Sequence, residues 1–250
     1  MPTKAATGER FVVVSDNHGD MVDPRSAEAL WAFLKDYQPS IRIHAGDNWD
    51  FRNLRRGASD EEQMGSLEED WEAGCDFISR YFAGGKEKWF LRGNHDERLW
   101  LLAGSAKGLA RDYAQDGIRR VAQLMHKHGA KVKPYDSAAG ILDLGKLRVL
   151  HGYHVGVTAC RQHANVYGNC LFGHVHSIEA ASVPNLVQSE ARSIGCLCKR
   201  DMDYVAHKTA KLRWGNGWAY GVLFPDGSYQ LWQTRKIGDN FYAATDIKGY

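Results

Sequence analysis

Short apolar runs closed by polar clusters recur along the first two thirds of the chain. Residues 11–15 (FVVVS) read as a buried strand, as do 41–45, 89–91, 147–150 and 170–172, because each is rich in apolar or β-branched residues and leads within two positions to Gly, Asp or His. Between these runs the period changes. After Asp23-Pro24, an N-cap followed by proline at the first helical position, Ala27, Leu30, Trp31 and Leu34 recur at helical spacing. Ser59 and Glu62 have the spacing of a capping box, and Met64, Leu67, Trp71, Ile78 and Phe82 mark one face of a long helix. Gly74 weakens that helix without ending it, and Gly84-Gly85 stops it. Residues 97–129 are helical again, divided at Gly104 and Gly108, with Ile118, Val121, Leu124, Met125 and His128 as the clearer stripe.

A hairpin-like turn at Gly145-Lys146 joins runs 141–144 and 147–150, and a short helix is predicted over 158–167. In the tail, Pro225-Asp226-Gly227 between two aromatic-rich runs is a hairpin turn, and the segment 191–250 is expected to complete a second sheet. The sequence shows no repeat, low-complexity segment or linker. Strand, polar cluster, helix, repeated three times, predicts a mostly parallel sheet with crossover helices. Such sheets gather ligands at the carboxyl ends of their strands.

The polar clusters fall at those ends. They are Asp16-Asn17-His18, Gly46-Asp47-Asn48, Gly93-Asn94-His95-Asp96, His151-Gly152 and Gly173-His174-Val175-His176. They offer two Asp, one Asn and four His as ligands, with one His to spare, enough for two metal ions. A pair of divalent ions can hold a hydroxide at neutral pH and neutralise the oxygens of a phosphate under in-line attack. Mixed Asp, Asn and His donors suit Mn, Fe, Zn or Co better than Ca. Each cluster alone has a plainer explanation. Asp16 and Asp47 could be turn residues or helix caps, Asn94 a turn former beside Gly93, and His174 and His176 satisfied polar residues on one strand face. Their joint occurrence in order is what favours a site.

Composition narrows the setting. The 250 residues are 44% hydrophobic and 25% charged with net charge +2, which fits one α/β domain and argues against disorder or a globally basic nucleic-acid footprint. Five cysteines without regular spacing do not form a disulfide framework, and Cys196-x-Cys198 alone is a weak metal signal. Residues 1–10 carry no apolar signal-peptide core, and no stretch approaches a membrane span, so a cytoplasmic protein is expected.

In this order, Asp-x-His, Gly-Asp-x-x-Asp, Gly-Asn-His-Asp, His-Gly and Gly-His-x-His resemble the motifs of the calcineurin-like metallophosphoesterase superfamily, over residues 16–176. The resemblance implies a four-layer α/β/β/α sandwich with two mixed sheets and a dinuclear metal site at one rim. It implies that Asp16, His18 and His176 bind one metal, that Asn94, His151 and His174 bind the other, and that Asp47 and a hydroxide bridge them. Manganese comes first, with Fe, Zn, Co or Ni as alternatives. His95 would stand near the leaving group, Asp96 would orient His95 or pair with a base, and Asp50 would hold a metal-bound histidine. A single domain over 1–250 is implied, with a helical insertion about 97–134 as a cap.

Beside these motifs, Arg52, Arg55, Arg56 and Arg98 are candidates for phosphate capture, the alternative being a solvated charged loop. Trp49 and Phe51 could stack on an aromatic group or a base, or Trp49 could be core. His44, His126, His128 and His207 get no role, and His154 and His163, which lie between two ligand motifs and could reach the substrate, read as surface residues. The chain departs from the Ser/Thr protein phosphatases, which resemble Gly-Asp-x-x-Asp-Arg-Gly and Gly-Asn-His-Glu. Phe51 follows Asp50 here, and position 96 is Asp. This points to the phosphodiesterase and exonuclease-like branch, with a nucleotide, cyclic nucleotide or nucleic acid as substrate. A phosphomonoesterase or protein phosphatase, and a scaffold that kept the fold without the chemistry, are the alternatives.

Overall fold

The computed structural model describes residues 8–55, 57–64, 66–200 and 209–244. Its first sheet is built on β1 (Glu9–Val14), whose apolar run pairs in parallel with β2 (Ile41–His44), Phe11 opposite Ile41 and Val14 opposite His44. β3 (Glu87–Leu91) and β4 (Lys131–Lys133) continue the parallel set. The second sheet contains β5 (Leu142–Leu144), β6 (Leu147–Leu150), β7 (Cys170–Phe172), β8 (Ile178–Ser182) and β9 (Glu190–Ile194), in the order β5-β6-β7-β9-β8. β10 (Gly217–Leu223) returns to the first sheet antiparallel to β1, followed by β11 (Tyr229–Ile237) and β12 (Asn240–Phe241).

The helices are α1 (Pro24–Tyr37), α2 (Asp60–Met64), α3 (Leu67–Tyr81), α4 (Glu97–Ser105), α5 (Leu109–His128) and α6 (Ala159–Tyr167). Strand alternation sorts the side chains into layers. Val12 and Val14 point to the helical side, where they join Leu30 and Phe33 of α1, Ile78 and Tyr81 of α3, and Val121 and Met125 of α5. Phe11 and Val13 point the other way, into a core shared by Ile41, Ile43 and Leu91 with Val149, Leu171 and Ile194 of the second sheet. The far face of that sheet packs Cys170 and Phe172 against Ala159, Ala164 and Tyr167 of α6. The result is the four-layer α/β/β/α sandwich with two mixed sheets.

The structure differs from the sequence expectation in three places. The capping box forms, with Glu62 N–H donating to Ser59 Oγ at 3.2 Å and Ser59 N–H to Glu62 Oε2 at 2.8 Å, but the helix it opens ends at Met64. A new one starts at Leu67 under the Ser66 hydroxyl, which accepts from Glu68 N–H at 3.0 Å. Local N-cap chemistry thus overrides the continuous apolar stripe. The tail does not belong to the second sheet alone: β10 to β12 extend the first, because Trp218 and Tyr220 pack their rings on Phe33 of α1 at 5.4 and 4.9 Å. Residues 92–130, with α4 and α5, form the crossover from β3 to β4, and Leu99, Ala114, Val121 and Met125 are core residues.

Gly74 has a packing reason. A Cβ there would overlap the Trp49 indole, whose ring is fully buried and stacked on Trp71 at 5.4 Å. Gly74→Ala should therefore destabilise the fold by about 1–3 kcal/mol despite alanine's better helix propensity. Urea unfolding reads this directly, and an unchanged or raised midpoint would contradict it.

Candidate metal centre

The carboxyl ends of β1, β2, β3, β6 and β7 meet at one rim, and each hands the chain to a polar cluster. Eight non-glycine residues among those described have positive φ, and five of them are Asp16, His18, Asp47, His174 and His176. A left-handed conformation costs such residues about 1 kcal/mol or more, so this concentration at one rim marks a place where side-chain direction outweighs local stability.

The side chains converge. Asp16, His18 and Asp47 form one group in which the candidate ligand atoms lie within 4.8 Å of one another, and Asp47, His151 and His174 form another. Asp47 is common to both. His176 Nε2 lies 3.2 Å from Asp16 Oδ1 and 3.1 Å from His18 Nε2. His151 Nε2 lies 3.3 Å from Asp47 Oδ2 and 3.0 Å from Asn94 Oδ1. The far nitrogens are held from behind: His151 Nδ1 by the Ala45 carbonyl at 2.8 Å, His18 Nδ1 by Asp50 Oδ1 at 3.2 Å. Each ring therefore presents Nε2 inward, the arrangement that metal-binding histidines adopt.

The charges are balanced internally. Burial pushes the Asp16 carboxyl up, but the neighbouring His176 and His151 more than offset this and hold it at about 2. Burial likewise opposes ionisation of Asp47, yet His151, His95 and His18 keep it well below the usual carboxylate range. Burial lowers His151 and His176, while Asp47 acting on the first and Asp16 on the second raise both to about 9. His174 is pushed down to about 4 by burial and by His151. Two buried carboxylates surrounded by inward-facing imidazole nitrogens, two of them 3.1 Å apart, fit a pair of divalent cations in place of protons.

A model of the calcineurin-like phosphoesterases matches residues 9–177. The chain belongs to that family. No curated protein matches it. Among solved structures it is similar to an archaeal phosphodiesterase, at 14% identity over 90% of this chain and 99% of that one, with a TM-score of 0.43. A nuclease from Pseudomonas putida is 14% identical over 76% of this chain and 75% of its own, with a TM-score of 0.39. Vps29 from Entamoeba histolytica, as a single mutant, is 11% identical over 91% and 99%, with a TM-score of 0.43. Family membership, with its phosphoester hydrolysis and dinuclear metal dependence, rests on the first match, and these three likenesses carry no substrate.

Within this phosphoesterase framework the remaining expected residues separate. His95 donates its backbone N–H to Asp47 Oδ1 at 2.8 Å, and its Nδ1 lies 2.6 Å from Asp50 Oδ1. The carboxylate bonded to His95 Nδ1 is therefore that of Asp50, and Asp96, expected to orient His95 or pair with a base, bonds to backbone instead. Both Asp96 oxygens are occupied by backbone donors, Oδ2 by Asp47 and Gly93 at 2.8 Å and Oδ1 by Asn48 and Trp49 at 3.1 Å. Asp96 is fully buried and shapes loops rather than touching a reacting group.

Arg98 does reach the centre, donating to the Asp50 carbonyl at 2.6 Å and lying 3.2 Å from His95 Nε2. Arg52 is paired with Asp20 and with Asp50, and Arg55 with Glu62 at 2.5 Å, so both are committed to carboxylates. Arg56 lies outside the described residues, as does His207. Trp49 and Phe51 are both buried in a stack with Trp71 and offer no ring to a base. His163 is also buried, accepting from Tyr153 N–H at 3.0 Å, and is not a surface residue.

Sequence reasoning missed three supports. Asp70 accepts the N–H of Asp50 at 3.0 Å and of Phe51 at 2.7 Å; its signal was a carboxylate on the apolar stripe of α3 beside Trp71. Tyr135 sets its ring 5.7 Å from that of His151, and Trp214 sets its ring 4.1 Å from that of His176. Neither position carries any local sequence signal.

Asp96→Ala leaves four backbone N–H groups without their acceptor. It should destabilise the protein by about 3 kcal/mol or more in urea unfolding. A loss below about 1 kcal/mol would show that these loops hold their shape without the carboxylate.

Proposed function

We propose that the protein is a metal-dependent phosphodiesterase acting on nucleotide, cyclic-nucleotide or nucleic-acid phosphoesters. Asp16, His18 and His176 hold one divalent ion, Asn94, His151 and His174 the other, and Asp47 serves both. Mn comes first, with Fe, Zn, Co or Ni also suited to these donors. When bound, such ions supply a hydroxide at neutral pH and neutralise developing charge on phosphate oxygens.

The chain's own residues supply the rest. Asp47 Oδ1 is fixed by the His95 N–H, which leaves Oδ2 facing His151 at 3.3 Å, His95 at 3.9 Å and His18 at 4.0 Å. Asp50 Oδ1 accepts a hydrogen bond from His95 Nδ1–H, so Nε2 is the atom available to a leaving-group oxygen. Arg98 Nη2 lies 3.2 Å from that Nε2; when an entering phosphate oxygen accepts from Arg98 instead, Nε2 is free to carry the proton that the leaving-group oxygen takes up.

One observation carries the preference for diesters: two of the arginines assigned to phosphate capture are already paired with carboxylates. Arg52 and Arg55 are bound to carboxylates, and among the described arginines assigned to phosphate capture only Arg98 contacts His95. A singly charged diester needs less fixed positive charge than a doubly charged monoester.

The test is turnover of bis-p-nitrophenyl phosphate against p-nitrophenyl phosphate, with Mn returned to stripped protein. The diester should be faster; faster monoester turnover would sink the diester assignment, and no turnover of either with any of the five metals would favour a scaffold. Asp47→Ala should abolish turnover and lower metal content. His95→Ala should keep its metal and lose about 100-fold or more in kcat, most for poor leaving groups. Metal loss in His95→Ala would instead make His95 a ligand.

A further inference from the structure

A cavity of about 320 Å³ opens beside the metal centre, lined by Arg200, Trp214, Gly215, Asn216, Arg235, Lys236, Gly238 and Asp239. Its position follows from the chain. Trp214 is the shared wall: its ring contacts His176, and the next residue, Gly215, donates its N–H to the His176 carbonyl at 2.8 Å. Arg235 lies opposite Gly217 on β11, and Lys236 N–H donates to the Asn216 carbonyl at 2.8 Å. The floor is buried Trp214 and Asn216, while Arg200 and Arg235 stand exposed at the rim.

The charge is local. The whole chain carries only +2, yet three cations converge here against one carboxylate of the lining, Asp239. Lys236 is already paired with Asp23 at 3.2 Å. Arg200 donates Nη1 to the Trp214 carbonyl at 3.3 Å, and neither Arg200 nor Arg235 has an ion pair among the described residues. That contrasts with Arg52, Arg55, Arg192 and Arg213, each held by a carboxylate. Two guanidinium groups without an ion pair among the described residues, over a concave floor with an amide and two glycines, suit a tetrahedral oxyanion. All of these residues lie beyond the stretch matched by the family model, which ends at 177.

We propose that this cavity is a phosphate subsite that holds a second phosphate of a substrate strand whose scissile phosphoester lies at the metal centre, a proposal that rests on the phosphodiesterase reading above. Arg235 and Arg200 bind the phosphate oxygens, and the Trp214 segment fixes the spacing to His176. The subsite makes the protein favour substrates with more than one phosphate.

The experiment uses the full metal-loaded chain and a fluorescein-labelled decathymidylate with phosphorothioate linkages, which resists hydrolysis. Arg235→Gln and Arg200→Gln should each weaken binding about fivefold to tenfold and flatten the salt dependence by about 0.7 in log–log slope, one contact's worth. Arg235→Lys should keep most of that slope, and thermal unfolding of all three should match the parent. Inorganic pyrophosphate serves as the second probe: if its affinity falls in Arg235→Gln while that of the strand does not, the strand placement is overturned and the cavity takes small phosphates. Unchanged affinity for both probes overturns the subsite altogether. Absent turnover with Arg235-dependent strand binding retained would support the subsite and remove the hydrolase reading.

Discussion

One buried carboxylate sets the geometry on which the centre depends. Asp96 accepts four backbone N–H groups, three from the loop after β2 and one from the loop after β3. Strand-end loops have few internal hydrogen bonds, and buried N–H groups need acceptors. By supplying one to both loops, Asp96 fixes their separation and holds Asp47 in its left-handed conformation. Asp47 and His95 are then aligned by a bond of their own, from the His95 N–H to Asp47 Oδ1. Asp70 repeats the device one step further along, under Asp50 and Phe51.

The second constraint is electrostatic. Asp16, Asp47 and Asp50 are nearly inaccessible to water and would resist ionisation in isolation. Each is held ionised by imidazoles, of which His18 and His95 are oriented by Asp50 and His151 by the Ala45 carbonyl. The cluster is thus preorganised before any cation enters, at the expense of five left-handed backbones. Asp50 takes part twice, touching His18 and His95, and so couples the residues assigned to metal binding to the one assigned to the leaving group.

Much of this was legible in the chain. Buried parallel strands read as short apolar runs, and the clusters Asp16 to His18 through His174 to His176 fell where such strands end. The family motifs placed Asp47 at the centre. What could not be read was direction. Asp96 stands next to His95 in sequence, and adjacency suggested a partnership, but a residue that follows a sharp turn faces the other way. Trp49 and Phe51 alternate with polar residues and looked available to a ligand; only packing against Gly74 and Trp71 shows them to be buried. Arg52 and Arg55 carried the same ambiguity, which Asp20 and Glu62 resolved.

The sequence by itself determined the strand and helix periods, the capping residues and the identity of the ligand candidates, because these depend on neighbours within a few residues. The tertiary structure decided which edge of which sheet received the tail, which carboxylate orients His95, and which of the described arginines are paired with carboxylates. Those outcomes depend on pairs such as Trp218 with Phe33, Asp50 with His95, and Trp214 with His176. Such partners lie tens to hundreds of residues apart, so no local pattern encodes them, and only the closed fold sets the distances that make one partner outcompete another.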